Sequence, residues 1–442
     1  MHRRTTRRRV LQWLGQVGGA ALLGTGQAVA PRARARAGAP TVPIDHVIVI
    51  YLENRSFDHL FGFFPGAEGL AQAVGAPLQV DADGNAYETL PPFDGPPASP
   101  DRPALQVPAM PNGPFDLLPF APIDQPMNAA FEQVNTFYQE QQAIDGGKMD
   151  RFVAIAGSPA MGYYDGSGLA LWDLARQYTL ADHFFHSAFG GTGLNHFWLV
   201  SAATPVWPNA PAELVAQLNP DGTLARDGHV TPDGYLVNGP TQATASELPL
   251  QSMPHIGDRL DAAGISWAWY GGSQGQFVDN PLQYFADVAP GSRAAEMHLQ
   301  AEADCVTALQ NGALPNVAFV KPDNNEHPTR SPGLQEGDAH TAGLVQAVME
   351  SPYWQGSAII VTYDEGHSFW DHVPPPVVDR WGPGRRVPAL VISPYAKRGF
   401  VDRTPYETVS ILRFIEWRWN LTPLSTRDAA ANNLLNAFDF SQ

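Results

Sequence analysis

The five-residue run Val47-Ile48-Val49-Ile50-Tyr51 constrains this chain most. A short, continuous apolar run without polar alternation suits a strand covered on both faces, as strands of a parallel sheet are. Comparable runs recur at Trp267–Tyr270, Val317–Val320, Ala358–Tyr363 and Ala389–Ile392. Helix-like stretches lie between them at Leu169–Tyr178, Ile256–Ala263, Thr341–Met349 and Thr408–Trp417. The alternation predicts an α/β fold with a mainly parallel central sheet flanked by helices, Asp45–Tyr51 being its first strand. Residues 65–130 and 209–249 are rich in Pro and Gly and weak in periodicity. They predict long loop insertions within a single domain over residues 41–442.

The first forty residues have another character. Arg3, Arg4, Arg7, Arg8 and Arg9 precede a mildly apolar stretch from Val10 to Leu23, followed by Ala28-Val29-Ala30. That is the order of an export signal, and its apolar part is too short to span a bilayer. Thr6-Arg7-Arg8-Arg9-Val10-Leu11 fits the twin-arginine pattern. Residues 1–40 therefore read as a signal and cleaved segment. The expected address is periplasmic or secreted, with the twin-arginine export machinery as partner. This segment holds eight Arg and no acid, so the remainder carries 19 basic against 44 acidic groups, a net charge of −25. Such a surface repels polyanions, which argues against nucleic acid as a ligand. A phosphate substrate would then need local positive charge, which a metal ion can supply. With Cys305 as the lone cysteine, an intramolecular disulfide is excluded, and elsewhere no apolar run is long enough for a transmembrane anchor.

In an open parallel sheet, ligands bind beyond the carboxyl ends of the strands. The first strand runs into Glu53-Asn54-Arg55-Ser56-Phe57-Asp58-His59, and Ala358–Tyr363 runs into Asp364-Glu365-Gly366-His367. Two such ends brought together would make an oxygen-rich site for a hard or borderline divalent cation, although acids after strands are also common without one. A third piece, Gly190-Gly191-Thr192-Gly193, reads either as a plain loop or as a hydroxyl presented to a ligand at a helix N-terminus. A metal-bound hydroxyl loses its proton readily and becomes a nucleophile.

The stretch Ile44–His59 resembles the opening motif of the bacterial acid phosphatase and phospholipase C family of the alkaline-phosphatase-like superfamily. The likeness continues through Phe137-Tyr138-Gln139-Glu140-Gln141, Asp145–Asp150, Phe189–His196, Pro254–Leu260, Asn325-Glu326-His327-Pro328, Tyr363–Pro376 and Ser393–Lys397, with the acid phosphatase branch closer. The resemblance implies an alkaline-phosphatase-like fold and one divalent metal ion held by Glu53, Asn54, Thr192, Asp364 and Glu365. All-oxygen ligation favours calcium, magnesium or manganese, with iron still open. Thr192 would be the nucleophile and carry a phospho-enzyme intermediate. His327 would contact the phosphoryl group, and His372 would either support the site or contact substrate. The implied substrate is a small phosphate monoester. The alternatives are a phospholipid headgroup cleaved in phospholipase C fashion and a degenerate member that binds metal and ligand with little turnover. Three family histidines have no counterpart, their places being taken by Asn135, Val278 and Asp279. His367 either replaces a lost donor or fills a loop. Asn195 and His196 are expected to brace the nucleophile loop, and His46, His59 and His255 to be structural.

Overall fold

The computed structural model describes residues 38–95, 104–124, 136–241, 244–271, 279–323 and 333–441. Most of the export-type segment, together with Asn135, Val278 and His327, lies outside the described residues. The centre is an eight-stranded sheet. Its strands, in chain order, are β1 (His46–Leu52), β2 (Thr179–Ala181), β3 (Trp267–Gly271), β4 (Leu299–Gln300), β5 (Val317–Lys321), β6 (Ser357–Tyr363), β7 (Ala389–Ile392) and β8 (Phe400–Asp402). They lie side by side in the order β4-β3-β5-β1-β6-β7-β2-β8. Only β7 runs against its neighbours β6 and β2; the remaining pairings are parallel.

Every residue of β1 and of β6 is buried, so both faces of the sheet centre are covered. Continuous runs of Val and Ile stay dry only in that setting. The helix Leu334–Glu350 packs on Ala170–Gln177, and Thr408–Trp419 packs on Thr192–Ser201. Short two-stranded ribbons occupy the Pro- and Gly-rich stretches, such as Thr89–Leu90 with Met110–Pro111 and Gln217–Leu218 with Leu224–Arg226. Among the described residues no helix is long and apolar enough to cross a membrane.

The expected strands are all present, with small shifts of their ends. β1 runs one residue later than Asp45–Tyr51, because the Asp45 N–H bonds to Gly356 O instead of joining the ladder. The helix expected over Thr341–Met349 begins already at Leu334. Its first two turns contain Gly337 and several polar residues, which hide the apolar period.

That extra length has a use. Asp338 reaches across to the helix Ala170–Gln177, whose N-cap residue Leu169 has no capping side chain. The Asp338 carboxylate accepts from Ala170 N at 2.6 Å and from Leu171 N at 3.0 Å, capping that helix from outside. Replacing Asp338 by Ala leaves two amides of a mostly buried helix end without their acceptor. We expect a loss of about 2 kcal/mol, read as a lower denaturant midpoint at unchanged slope.

Candidate active site

The site is assembled by strand pairing. β1 and β6 are parallel neighbours in the register Leu52 to Tyr363, so Glu53-Asn54 and Asp364-Glu365 leave the sheet side by side. The contact continues past the ladder: Asp364 N donates to Leu52 O at 2.9 Å, Asn54 N to Asp364 Oδ1 at 3.0 Å, and Arg55 N to Glu365 O at 3.0 Å. Asn54 sits in the left-handed region, with φ 72°. Asn tolerates that conformation better than most residues, and the two flanking amide bonds hold it there.

Glu53, Asn54, Asp364 and Glu365 are all buried. Among the described residues, Asn54 Oδ1 and Asp364 Oδ2 have no hydrogen-bond partner, which is costly for buried oxygens. Burial is the largest influence on Asp364 and raises its carboxyl to about 7; Lys321 opposes the rise and Glu53 adds to it. Two orphaned hard oxygens in an acidic pocket are what a divalent cation requires of its ligands. Of the five ligands expected from the sequence, Asn54 and Asp364 therefore carry oxygens suited to such an ion.

Thr192 opens the helix Thr192–Ser201, and its hydroxyl acts on the Asp364 carboxylate. The N-cap, Gly191, offers no capping side chain. That leaves the positive end of the helix dipole facing the site. Asn195 clamps the preceding loop, accepting from Ala188 N at 3.0 Å and donating to Ala188 O and Gly190 O at 3.0 and 3.2 Å. Gly190 has φ 96°, and a Cβ there would stand 2.9 Å from Phe137 N, so only glycine fits. His196 bonds Thr192 O through Nδ1 at 2.8 Å. Burial, assisted by Lys321, lowers His196 to about 3 and keeps it neutral.

Other sequence-predicted residues lie elsewhere. His372 Nδ1 is 2.6 Å from Asp58 Oδ2, in a buried group completed by Asp371 and Arg386. Asp58, Asp371 and His372 stand close enough to hold a metal. Arg386, however, already pairs Asp371 at 2.8 Å and Asp58 at 3.3 Å. His372 is thus tied through its backbone N–H and Nδ1 to Asp58, in the segment that follows β1. His46 bonds Pro315 O, His59 bonds Gly162 O and stacks on Phe369, and His255 sits at the N-cap of Ile256–Ala263.

Two features escaped the sequence reading. Lys321, the last residue of β5, is buried with Nζ 2.8 Å from Glu53 Oε1. The apolar run had ended at Val320, one residue short. The second is a buried Glu140–His186–Arg385 cluster. Glu140 accepts from Gly190 N at 2.5 Å, meets His186 Nε2 at 2.9 Å and accepts from Arg385 Nε at 2.9 Å. Arg385 also donates to Phe369 O at 2.7 Å and to His367 O. The cluster therefore ties the Thr192 loop to the loop after Asp364-Glu365. Its sequence signals were Glu140 in the Phe137–Gln141 motif and the basic pair Arg385-Arg386 in an acidic chain.

For Glu140, burial would raise the pKa, but His186 and Arg385 overcome it and set it at about 2, below the ordinary 4.5. A depressed carboxyl stabilises the fold fully above its unfolded value and progressively less as pH falls toward the folded one. Glu140→Gln should cost about 3 kcal/mol at neutral pH. The gap in unfolding free energy between it and the parent should narrow as pH drops from 4.5 toward 2.

Residues 44–422 match the Phosphoesterase family. The chain is 28% identical to a non-hemolytic phospholipase C of Pseudomonas aeruginosa over 453 residues, covering 90% of this chain and 57% of that protein. It is 26% identical to phospholipase C A of Mycobacterium tuberculosis over 452 residues, covering 90% and 78% respectively. The chain thus spans less than two thirds of the Pseudomonas protein's length. Partial structural overlap extends to a protein in the alkaline phosphatase superfamily from Vibrio parahaemolyticus, with TM-score 0.34, 14% identity, and 60% and 66% of the two chains covered. A murine ectonucleotide pyrophosphatase/phosphodiesterase 5 overlaps with TM-score 0.37 at 9% identity, over 61% of this chain and 94% of the other. With the match running from the start of the first strand to beyond the last long helix, the chain belongs to the phosphoesterase family.

Proposed function

We propose that this chain is a metal-dependent phosphoester hydrolase in which Thr192 is the nucleophile. The observation that carries the reading is the pair of orphaned buried oxygens, Asn54 Oδ1 and Asp364 Oδ2, beside a hydroxyl at an uncapped helix N-terminus. Glu53, Asn54, Asp364, Glu365 and Thr192 are the residues that would hold the cation. When bound, the ion supplies positive charge against the phosphoryl oxygens and favours the ionised hydroxyl.

The chain's own residues supply the rest. Thr192 Oγ attacks phosphorus in line, the P–O bond to the alcohol breaks, and the leaving alkoxide takes a proton from solvent water. Water then cleaves the phospho-threonine and restores the hydroxyl. Asp364, beside the Thr192 hydroxyl, is placed to receive its proton. The dipole of Thr192–Ser201 favours the anionic phosphoryl group where Thr192 can reach it. His327, by resemblance, contacts that group.

Of the two substrate classes, a phospholipase C-type phosphodiester is the better supported. The relatives at 25–28% identity carry phospholipase C names. The buried Asp279 stands where acid phosphatase relatives have a histidine, and its negative charge opposes a dianionic monoester more than a singly charged diester. The acid phosphatase reading keeps the same nucleophile and metal.

Hydrolysis of nitrophenyl phosphate, bis-nitrophenyl phosphate and nitrophenyl-phosphocholine by manganese-loaded protein tests these readings together. The diester reading expects kcat/KM on the two diesters to exceed that on the monoester by at least about tenfold, about 1.4 kcal/mol. Metal-loaded protein that turns over none of the three would leave only the degenerate, binding-only reading. Thr192→Ala should lower kcat by about a thousandfold or more, the scale of losing a nucleophile. Full activity in that variant would remove Thr192 from the role.

A further inference from the structure

Lys321 belongs to none of the roles derived so far. It ends β5, which pairs with β1 on the side opposite β6. Glu53, at the end of β1, therefore stands between two neighbours. On the β6 side is Asp364, with its orphaned Oδ2. On the β5 side is the buried Lys321 ammonium, 2.8 Å from Glu53 Oε1. The other oxygen of Glu53 accepts from Asn54 Nδ2 at 3.2 Å. The carboxylates acting on Lys321 are Glu53, Asp279 and Asp364.

The arrangement offers two cation places side by side along the strand ends, and the protein fills one with its own charge. Three carboxylates act on Lys321, and its ammonium offsets part of their charge, so less negative charge is left to hold a second divalent ion. A second divalent ion could enter only by displacing Nζ from Glu53, and it would meet repulsion from the ammonium in a poorly screened interior. Lysine suits the task because its ammonium is a compact point charge on a long apolar stem that can run through the sheet edge.

We propose that Lys321 occupies the place of a second metal ion and so fixes the centre at one divalent cation. This rests on the metal site of the preceding section. The test counts Mn²⁺ bound per folded chain, by elemental analysis after dialysis against excess Mn²⁺ and by calorimetric titration. The parent and Lys321→Arg should each hold one equivalent. Lys321→Met and Lys321→Gln should hold two, and Lys321→Met combined with Asp279→Asn should return to one, because the carboxylate count falls with the lysine. Either neutral variant holding only one equivalent overturns the proposal while leaving the metal site intact. Failure of both neutral variants to fold in excess Mn²⁺ also overturns it, since a second ion would then not replace the lysine's charge. A parent chain that binds no Mn²⁺ overturns both this proposal and the metal site itself.

Discussion

The parallel pairing of β1 with β6 is the constraint on which the rest of the site depends. Side chains alternate faces along a strand, so a register slip of one residue would turn Glu53 and Asp364 to opposite sides of the sheet. Seven paired positions, from His46 with Ser357 to Leu52 with Tyr363, exclude that slip. Each step of the ladder is dry and its middle is made of Val, Ile and Ala, so slipping would also unpack a core buried on both faces. The precision of the acid cluster is inherited from the hydrophobic core beneath it.

That precision carries an electrostatic cost. Carboxylates taken out of water and set beside one another are destabilising unless cations accompany them. The chain meets the requirement locally: Lys321 on one side of Glu53, and an oxygen set suited to a divalent ion on the other. The chain as a whole carries a strongly negative net charge. Under the proposed function, a phosphate ester would be recognised at short range by the cation-loaded centre and not drawn in by the protein as a whole.

What the sequence reveals follows from which forces are local. Continuous apolar runs mark β1, β3, β5, β6 and β7, because strands covered on both faces have no polar positions to blur the signal. β2, β4 and β8 have only two or three residues each, too few to show any period. Glu53, Asn54, Asp364 and Glu365 were legible because polar residues directly after a buried strand must lie at the sheet's carboxyl edge. Lys321 obeys the same rule, but a search for acids at strand ends passes over a base. The Glu140–His186–Arg385 cluster was not legible as a cluster, although Glu140 lay in a family motif and Arg385 in a basic pair. Its members are 46 and 245 residues from Glu140 in sequence, and only the folded chain brings them together.

That cluster also explains how the proposed nucleophile on one segment keeps its place against the proposed metal ligands on two others. Thr192 follows a loop whose Gly190 adopts a conformation costly for other residues, and loops of that kind drift unless something pins them. Asn195 pins the loop to its own helix, which fixes its shape but not its position. Glu140 supplies the position, because Arg385 joins it to the backbone of His367 and Phe369, just beyond Asp364-Glu365. The bond network is buried, charged and complete before any substrate arrives, so little reorganisation remains for the reaction itself. A charged pair in the interior is a weak source of net stability. Its value here is geometric: it makes the distance between Thr192 and Asp364 a property of the fold and not of the ligand.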